Sequence, residues 1–249
     1  MKTKAVLTFI LLLSIFSASC NLLTNAGVKV ITPSNNIISE NRDVSGFKGI
    51  EFSTIGKVNI IQSDKESLNI NGPDNLVSEI STSVNNGILV IKNKENFTVT
   101  SLSQKDILTF TIGFKELTSL NVSGAGDVQV ETLPTTSMDV NMSGAGNVVM
   151  NQLTTGSFNV DISGLGGLEV TGSATQATIN ISGAGNVNAP DFKVQTANVT
   201  ISGLGGATLW VTDSLTGDIS GAGSVSYYGN PQTSTKATGL GTFKSLGSK

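Results

Sequence analysis

From residue 119 onward the chain alternates apolar and polar residues in short runs, and one four-residue signature interrupts them at a near-constant interval. Ser-Gly-Ala-Gly begins at Ser123, Ser143, Ser182 and Ser220, Ser-Gly-Leu-Gly at Ser163 and Ser202, and Thr-Gly-Leu-Gly at Thr238. The intervals are 20, 20, 19, 20, 18 and 18 residues. One residue before the signature stand Val122, Met142, Ile162, Ile181, Ile201, Ile219 and Ala237, and three before it Leu120, Val140, Val160, Ile179, Val199, Gly217 and Thr235. The column between them is polar: Asn121, Asn141, Asp161, Asn180, Thr200, Asp218 and Lys236. After the signature the apolar series resumes at Val128, Val148, Leu168, Val187, Ala207, Val225 and Phe243, and again two residues later from Val130 to Ser245. A period of two with one apolar side is the mark of a half-buried strand. Each repeat therefore predicts a strand, a Gly-X-Gly corner and a second strand.

Half of the 28 glycines sit in these corners. Two uses account for glycine there: a sharp bend with positive φ, or a close backbone approach between neighbouring repeats. The residue between the glycines is always Ala or Leu and is expected to face the core. Strand–corner–strand units with matching columns stack as coils, each burying its apolar face against neighbours about 4.8 Å away. The predicted fold is all-β: a right-handed parallel β-helix (β-solenoid) with 18–20-residue coils. Seven coils make a rod of roughly 35 Å. A propeller blade needs about 40 residues, twice this period, and a sandwich does not require chemically identical corners.

The pattern is looser upstream. Ile50, Phe52, Ser53, Ile55, Gly56, Val58 and Ile60 occupy the offsets of Leu120, Val122, Ser123, Ala125, Gly126, Val128 and Val130. Asn71-Gly72-Pro73 predicts a turn, Asp74 a cap on a short helix through Ile80, Val84–Ile88 a strand turn, and Ile107–Phe114 a strand. One solenoid domain is thus expected over 44–249, with irregular coils over 44–118 and regular ones over 119–249. The inward columns weaken to Gly217, Thr235 and Ala237, and a polar last coil is what keeps rods from joining end to end.

Residues 1–19 read as a signal peptide of the lipoprotein type. Lys2 and Lys4 precede a twelve-residue apolar run, Ala5–Phe16, and then Ser17-Ala18-Ser19-Cys20. The run is too short to span a bilayer, which takes about 20 residues. Cys20 is the expected lipid-attachment site, although Ser17 stands where the lipobox pattern favours Leu. Two or three acyl chains make a stable anchor where one does not, so the membrane is the first expected partner. Cleavage there removes two lysines and no acid, taking the formal charge from −3 to −5. Residues 20–43 then read as a flexible tether.

Composition narrows the function classes. Charged residues are 13% of the chain, His is absent and Arg42 is the sole arginine, so no basic patch for nucleic acid exists. A single Cys precludes an internal disulfide. Seven Gly-X-Gly copies on a strand period, with no helix following, are structural and do not form a dinucleotide fingerprint. Calcium β-rolls repeat every nine residues with an Asp in each turn; here that column reads Asp127, Asn147, Gly167, Asn186, Gly206, Ser224 and Thr242. Neither a metal site nor a cofactor is expected. Glycosidase chemistry needs two carboxylates about 5–10 Å apart; Asp161 and Asp218 share a column but lie three coils, about 14 Å, apart, and Asp139 and Asp161 fall in different columns. No catalytic residues are assigned. The outward Asn, Asp and Thr column predicts either side-chain ladders or a surface for sugar hydroxyls. Eight residues past the signature the outward column ends in Trp210 and Tyr228, 18 residues apart and so on adjacent coils. These rings are the candidate glycan or partner platform, unless the segment that follows folds back over them.

With Phe47-Lys48-Gly49-Ile50, the Ser-Gly-Ala-Gly-Asp/Asn corners and the run Val211–Leu215, Ser220–Gly223, Tyr228–Pro231, the chain resembles a bacterial envelope family described as putative autotransporter adhesins with a head GIN domain. The resemblance covers Val44–Lys249. It implies a right-handed β-helix, often lipid-anchored, in bacteria related to Bacteroidetes, and brings no catalytic residues. Gly167 and Gly206 depart from it, replacing the acid or amide after the corner. The expectation is a non-catalytic lipoprotein on the outer membrane, facing periplasm or cell surface, that binds a glycan or an envelope protein. The alternatives are a structural or signalling envelope module and, more remotely, a polysaccharide-cleaving β-helix.

Overall fold

The structure is a computed structural model and describes residues 28–100 and 107–249; the expected signal peptide and Cys20 lie outside those residues. The N-terminal half carries β1 (Lys29–Ile31), β2 (Ile37–Arg42), β3 (Gly49–Ser53), β4 (Ile55–Gln62), β5 (Ser67–Pro73), α1 (Asp74–Val77), β6 (Ile80–Asn85), β7 (Ile88–Asn93), β8 (Phe97–Val99) and β9 (Thr109–Phe114). The repeats follow as β10 (Ser119–Val122), β11 (Ala125–Val130), β12 (Leu133–Pro134), β13 (Ser137–Met142), β14 (Val148–Ile162), β15 (Gly167–Ile181), β16 (Asn186–Ile201), β17 (Gly206–Ile219), β18 (Ser224–Tyr228), β19 (Gln232–Ala237) and β20 (Thr242–Ser245). Eighteen of these strands form one continuous sheet, wound as a β-solenoid of about six turns of stacked parallel coils.

Register follows the sequence columns. Phe52, Val122, Met142, Ile162, Ile181, Ile201, Ile219 and Ala237 lie one above the next, and so do Ile50, Leu120, Val140, Val160, Ile179 and Val199. The residues of both columns up to Ile219, Gly217 apart, are buried apolar core. Burial of this kind is worth about 1.5–3 kcal/mol per large side chain, and it is obtained only when each coil has neighbours. β3 and β4 pair in parallel with β10 and β11 at the offsets given above, so the irregular segment and the repeats share one sheet. Each long strand makes three paired stretches. β14 meets β11 over Val148–Met150, β12 at Leu153–Thr154 and β13 over Ser157–Ile162. The middle stretch, with buried Leu133, Leu153 and Phe192, is a third face that period-two columns do not reveal.

The corner glycines serve close approach. A Cβ placed on Gly124, Gly144, Gly164, Gly183, Gly203 or Gly221 would lie 1.9–2.2 Å from a carbonyl oxygen of the coil beneath. Of the fourteen corner glycines only Gly239 has a positive φ, +80°. The residue between the glycines faces outward, contrary to expectation: Leu165 is 74% exposed, Leu204 73% and Leu240 82%. Inward parity falls on the second glycine of each corner. A Cβ on Gly185, Gly205 or Gly223 would come 2.5–2.7 Å from the Cγ2 of Ile162, Ile181 or Ile201 below. That glycine leaves room for the isoleucine, and its predecessor is turned to solvent.

Three upstream expectations are also corrected. The tether over 20–43 is ordered in its described part, because β2 pairs antiparallel with β5 over six residues and β1 pairs with β8. Asn71-Gly72-Pro73 lies within β5, and the helix stops at Val77, since Ile80 is fully buried at the start of β6. Pro73 stands at the N-cap, with no side-chain bond there, and Asp74 is the first helical residue. Its carboxylate accepts from the Ser34 hydroxyl, the Asn36 amide and the Asn75 N–H, which hold its pKa below the ordinary value. That contribution is present above the ordinary carboxylate pKa and is lost as pH falls through the lowered one. The turn between β6 and β7 is a two-residue hairpin with positive φ at both Asn86 and Gly87.

Gly164→Ala is expected to destabilise the protein by about 3 kcal/mol or more, the upper end of overpacking costs. Gly167→Ala, whose new Cβ would meet the Asn147 side chain at 3.2 Å and the Asn186 carbonyl oxygen at 4.0 Å, should cost less than about 1 kcal/mol. Urea unfolding of the two variants, followed by circular dichroism, compares them; equal losses would show that the corner contact is not the constraint.

Candidate functional site

Position in the coil decides what each outward side chain can do. Parallel pairing places chemically similar groups about 4.8 Å apart along the rod, close enough for a side chain to bond its counterpart in the next coil. Asn141 Nδ2 donates to Asn121 Oδ1 at 2.8 Å, Asn159 Nδ2 to Asp139 Oδ1 at 2.7 Å and Asn180 Nδ2 to Asp161 Oδ1 at 2.9 Å. The outward column before the corner thus bonds between coils at two steps, Asn121–Asn141 and Asp161–Asn180, and Asp139–Asn159 does the same two residues earlier in the coil. Each of these carboxylates faces an amide, and Asp161 and Asp218 stand three registered steps apart.

The outward face after the corner differs. There a trough of about 580 Å³ runs along the rod, lined by Lys57, Asn59, Asp127, Gln129, Asn147, Gly167, Glu169, Asn186 and Asn188, with Val149 among them. Asn147 bridges two coils: its Nδ2 donates to Asp127 Oδ1 at 3.2 Å and its Oδ1 accepts from Gly167 N at 3.2 Å. The ladder stops at Gly167, which has no side chain and pairs in register with Asn186 of the next coil; the missing rung deepens the trough. Among the described residues the side chains of Asn59, Gln129, Asn186 and Asn188 make no hydrogen bond within the protein. A carboxamide both donates and accepts, so this floor matches groups that do the same. Only Lys57, Asp127 and Glu169 are charged among the lining residues. Sequence columns show these residues singly. What they hide is that a break in the amide series at Gly167 forms a depression.

Trp210 and Tyr228 pair directly in register on adjacent coils, both half-buried and facing outward. The segment after β20 folds back over them. Lys249 Nζ lies 5.3 Å from the Trp210 ring centroid and 5.2 Å from that of Tyr228, donates to the Pro190 carbonyl oxygen and pairs with the Asp191 carboxylate. Lys193, on the coil beneath, sits 5.5 Å from the Trp210 ring. The ring pair and the trough share one face. A smaller hollow of about 180 Å³ joins them, touching Glu169 and Asn188 of the trough and Pro190 and Asp191 beside the rings. No periodicity announces Lys249 as the occupant, because its partners lie 58 and 59 positions away. The remaining candidate, Cys20, lies outside the described residues.

The family profile described as "Putative auto-transporter adhesin, head GIN domain" matches residues 46–231, and the chain belongs to that family. A putative adhesin from Bacteroides fragilis, solved by crystallography, is 30% identical and superposes with a TM-score of 0.83 over 87% of this chain and all of its own. A protein from Parabacteroides distasonis described as a putative lipid binding protein shares the fold at 22% identity, TM-score 0.73, covering 88% of this chain and all of its own. A putative adhesin from Parabacteroides merdae does so at 21% identity and TM-score 0.69, with 88% and full coverage. No curated protein matches the chain.

Proposed function

We propose that this member of the head GIN domain family is a non-catalytic binding scaffold of the cell envelope, anchored to the outer membrane through a lipidated Cys20, whose after-corner trough holds an uncharged linear glycan. The observation that carries the reading is the amide floor. Asn59, Gln129, Asn147, Asn186 and Asn188 present donors and acceptors on four of the five coils that line an elongated depression. Sugar hydroxyls donate and accept in the same way, so each has a complementary group. Successive sugars of an extended chain lying along the rod meet successive coils. Each such bond is worth only about 0.5–1.5 kcal/mol net, so useful affinity needs several coils at once, which a polymer supplies and a monosaccharide does not. An adhesin family, as a class of envelope and surface proteins, accords with this placement. So does the engagement of Asp127, Asp139 and Asp161 in bonds between coils, each accepting from an asparagine of the next coil.

Gly167→Asn tests the trough. The new side chain enters beside Asn147, takes the place of the missing rung and fills the depression. Binding of the full chain to an array of neutral linear polysaccharides, followed by affinity titration of the hits, is expected to show retention for wild type. The variant should bind at least about tenfold more weakly, or about 1.4 kcal/mol, at unchanged thermal midpoint. No retention of wild type on any neutral polymer, or equal affinity of the variant, would reject the reading.

Cys20→Ser tests the anchor. Detergent-phase partitioning of cell extracts should place wild type in the detergent phase and the variant in the aqueous phase, since acyl chains supply about 0.8 kcal/mol per buried CH₂. Identical partitioning would remove lipidation from the proposal.

A further inference from the structure

We infer that Trp210, Tyr228, Asp191 and the Pro190 carbonyl form a binding site for a primary alkylammonium, specifically the lysine side chain of a protein partner, and that Lys249 of this chain occupies and closes it. This does not rest on the glycan reading of the trough.

Four groups converge on one nitrogen. The two ring centroids lie 5.3 and 5.2 Å from Lys249 Nζ, within the range of about 6 Å over which a ring face attracts a cation. The Asp191 carboxylate adds the opposite charge, and the Pro190 carbonyl accepts a second N–H. Rings, anion and carbonyl together are complementary to –NH₃⁺, which brings three donors and a full charge. A quaternary ammonium meets the rings but has no N–H for the carbonyl or the carboxylate. The occupant seen is itself a lysine, which makes a lysine side chain the ligand of matching shape.

The occupant is held by a bend that the chain builds separately. Leu246 N donates to Tyr227 O at 2.7 Å and Gly229 N donates to Gly247 O at 2.9 Å, clipping the closing segment alongside Tyr227–Gly229. Gly247 then takes φ +93°, a value that L side chains rarely adopt, with no atom within 4 Å of where a Cβ would stand. Nothing crowds this glycine, so its conformation rather than its size is what the position uses. The bend sends Ser248 and Lys249 back over the rings. The contact is also exposed enough to open: the Asp191 side chain retains 66% of its accessible surface and Lys249 29%. Tethered in this way, Lys249 competes at the millimolar effective concentration of a short linker, so an external amine succeeds when the segment is displaced or when the partner adds contacts beyond the cage.

Trp210 is the sole tryptophan, so its fluorescence reports the site directly. Two variants of the full chain free it of Lys249 by different routes, with Lys193 left at the Trp210 ring in both. Lys249→Gln removes the ammonium, and Gly247→Ala disfavours the bend while leaving every group of the cage intact. Titration with Nα-acetyl-lysine methylamide should give a saturable change in Trp210 emission, at least about tenfold tighter in either variant than in wild type. Adding Asp191→Asn to Lys249→Gln should weaken it at least about tenfold again. Choline should bind more weakly than the lysine probe, and glucosamine serves as the glycan-derived amine. The inference is overturned if neither variant shows saturation, if Asp191→Asn leaves the titration unchanged, or if choline matches the lysine probe. Glucosamine binding more tightly than the lysine probe would assign the site to an amino-sugar polymer and reject the protein partner.

Discussion

Everything in this molecule depends on one contact: the backbone of each corner rests on the carbonyl oxygens of the corner below, at a distance no side chain can share. The first glycine of a corner occupies space that a Cβ would have to take from a carbonyl, as at Gly164 over Gly144. The residue before it donates its N–H to the strand end beneath, from Ser123 to Phe52 at 3.0 Å through Ser220 to Ile201 at 2.9 Å. Close approach and hydrogen bond together set the vertical order of the coils at one fixed angular position. A slip of one residue would carry every inward side chain to solvent, and a slip of a whole coil would leave a buried face without a neighbour. The corner is thus a register device, and the apolar columns stack because it holds them there.

That constraint explains which features are readable from the amino-acid sequence. The Ser-Gly-X-Gly interval and the columns ending at Val122, Met142, Ile162 and Ile181 translate directly into pairing, because nothing interrupts the period between them. The direction of Leu165 and Leu204 does not translate, since it depends on which of two flanking glycines keeps inward parity, and glycine carries no polarity to reveal it. The third face is hidden for a related reason. Register shifts between Met150 and Leu153, Glu169 and Gly172, and Ala189 and Lys193 change the parity after the second strand, so Leu153, Gly172 and Phe192, which pair in turn, fall ten, nine and ten residues after their corner Ser. β2 escapes notice because Ile37–Arg42 is mostly polar and pairs antiparallel at the sheet edge, where burial is slight. The candidate site divides in the same way. The ring pair is legible from an 18-residue spacing, whereas the trough is defined by an absence at Gly167 and the closing lysine by a contact that no period encodes.

The two ends of the rod answer the problem that any stack of parallel coils creates, an open edge at each terminus. Toward the N-terminal side antiparallel pairs replace parallel ones, with β2 on β5 and β6 on β7, and Phe52 and Phe110 pack edge to face at 5.1 Å. At the other end β19 is exposed along its whole length and carries Gln, Thr, Ser and Lys. The inward position at Gly217 is filled from above by the Phe243 ring, which a Cβ there would strike. Polar strands with one aromatic lid close the core without offering a further coil an apolar face.

A surface built from repeats has a particular weakness as a binding site. Four of the five coils lining the trough offer a carboxamide, from Asn59, Gln129 and Asn147 to Asn186 with Asn188, so a periodic polymer gains similar contacts when shifted along the rod, and affinity accumulates without a defined position along the chain. Trp210, Tyr228 and Asp191 occur once, on the same face and joined to the trough through the hollow beside Glu169 and Asn188. A site that occurs once can fix position, which the repeats cannot do for themselves. The division follows from the architecture: the glycine corners repeat one backbone coil after coil, and specificity has to come from residues that break the column. Lys249, held over the rings by the bend at Gly247, then acts on the one element of the surface that distinguishes its two ends.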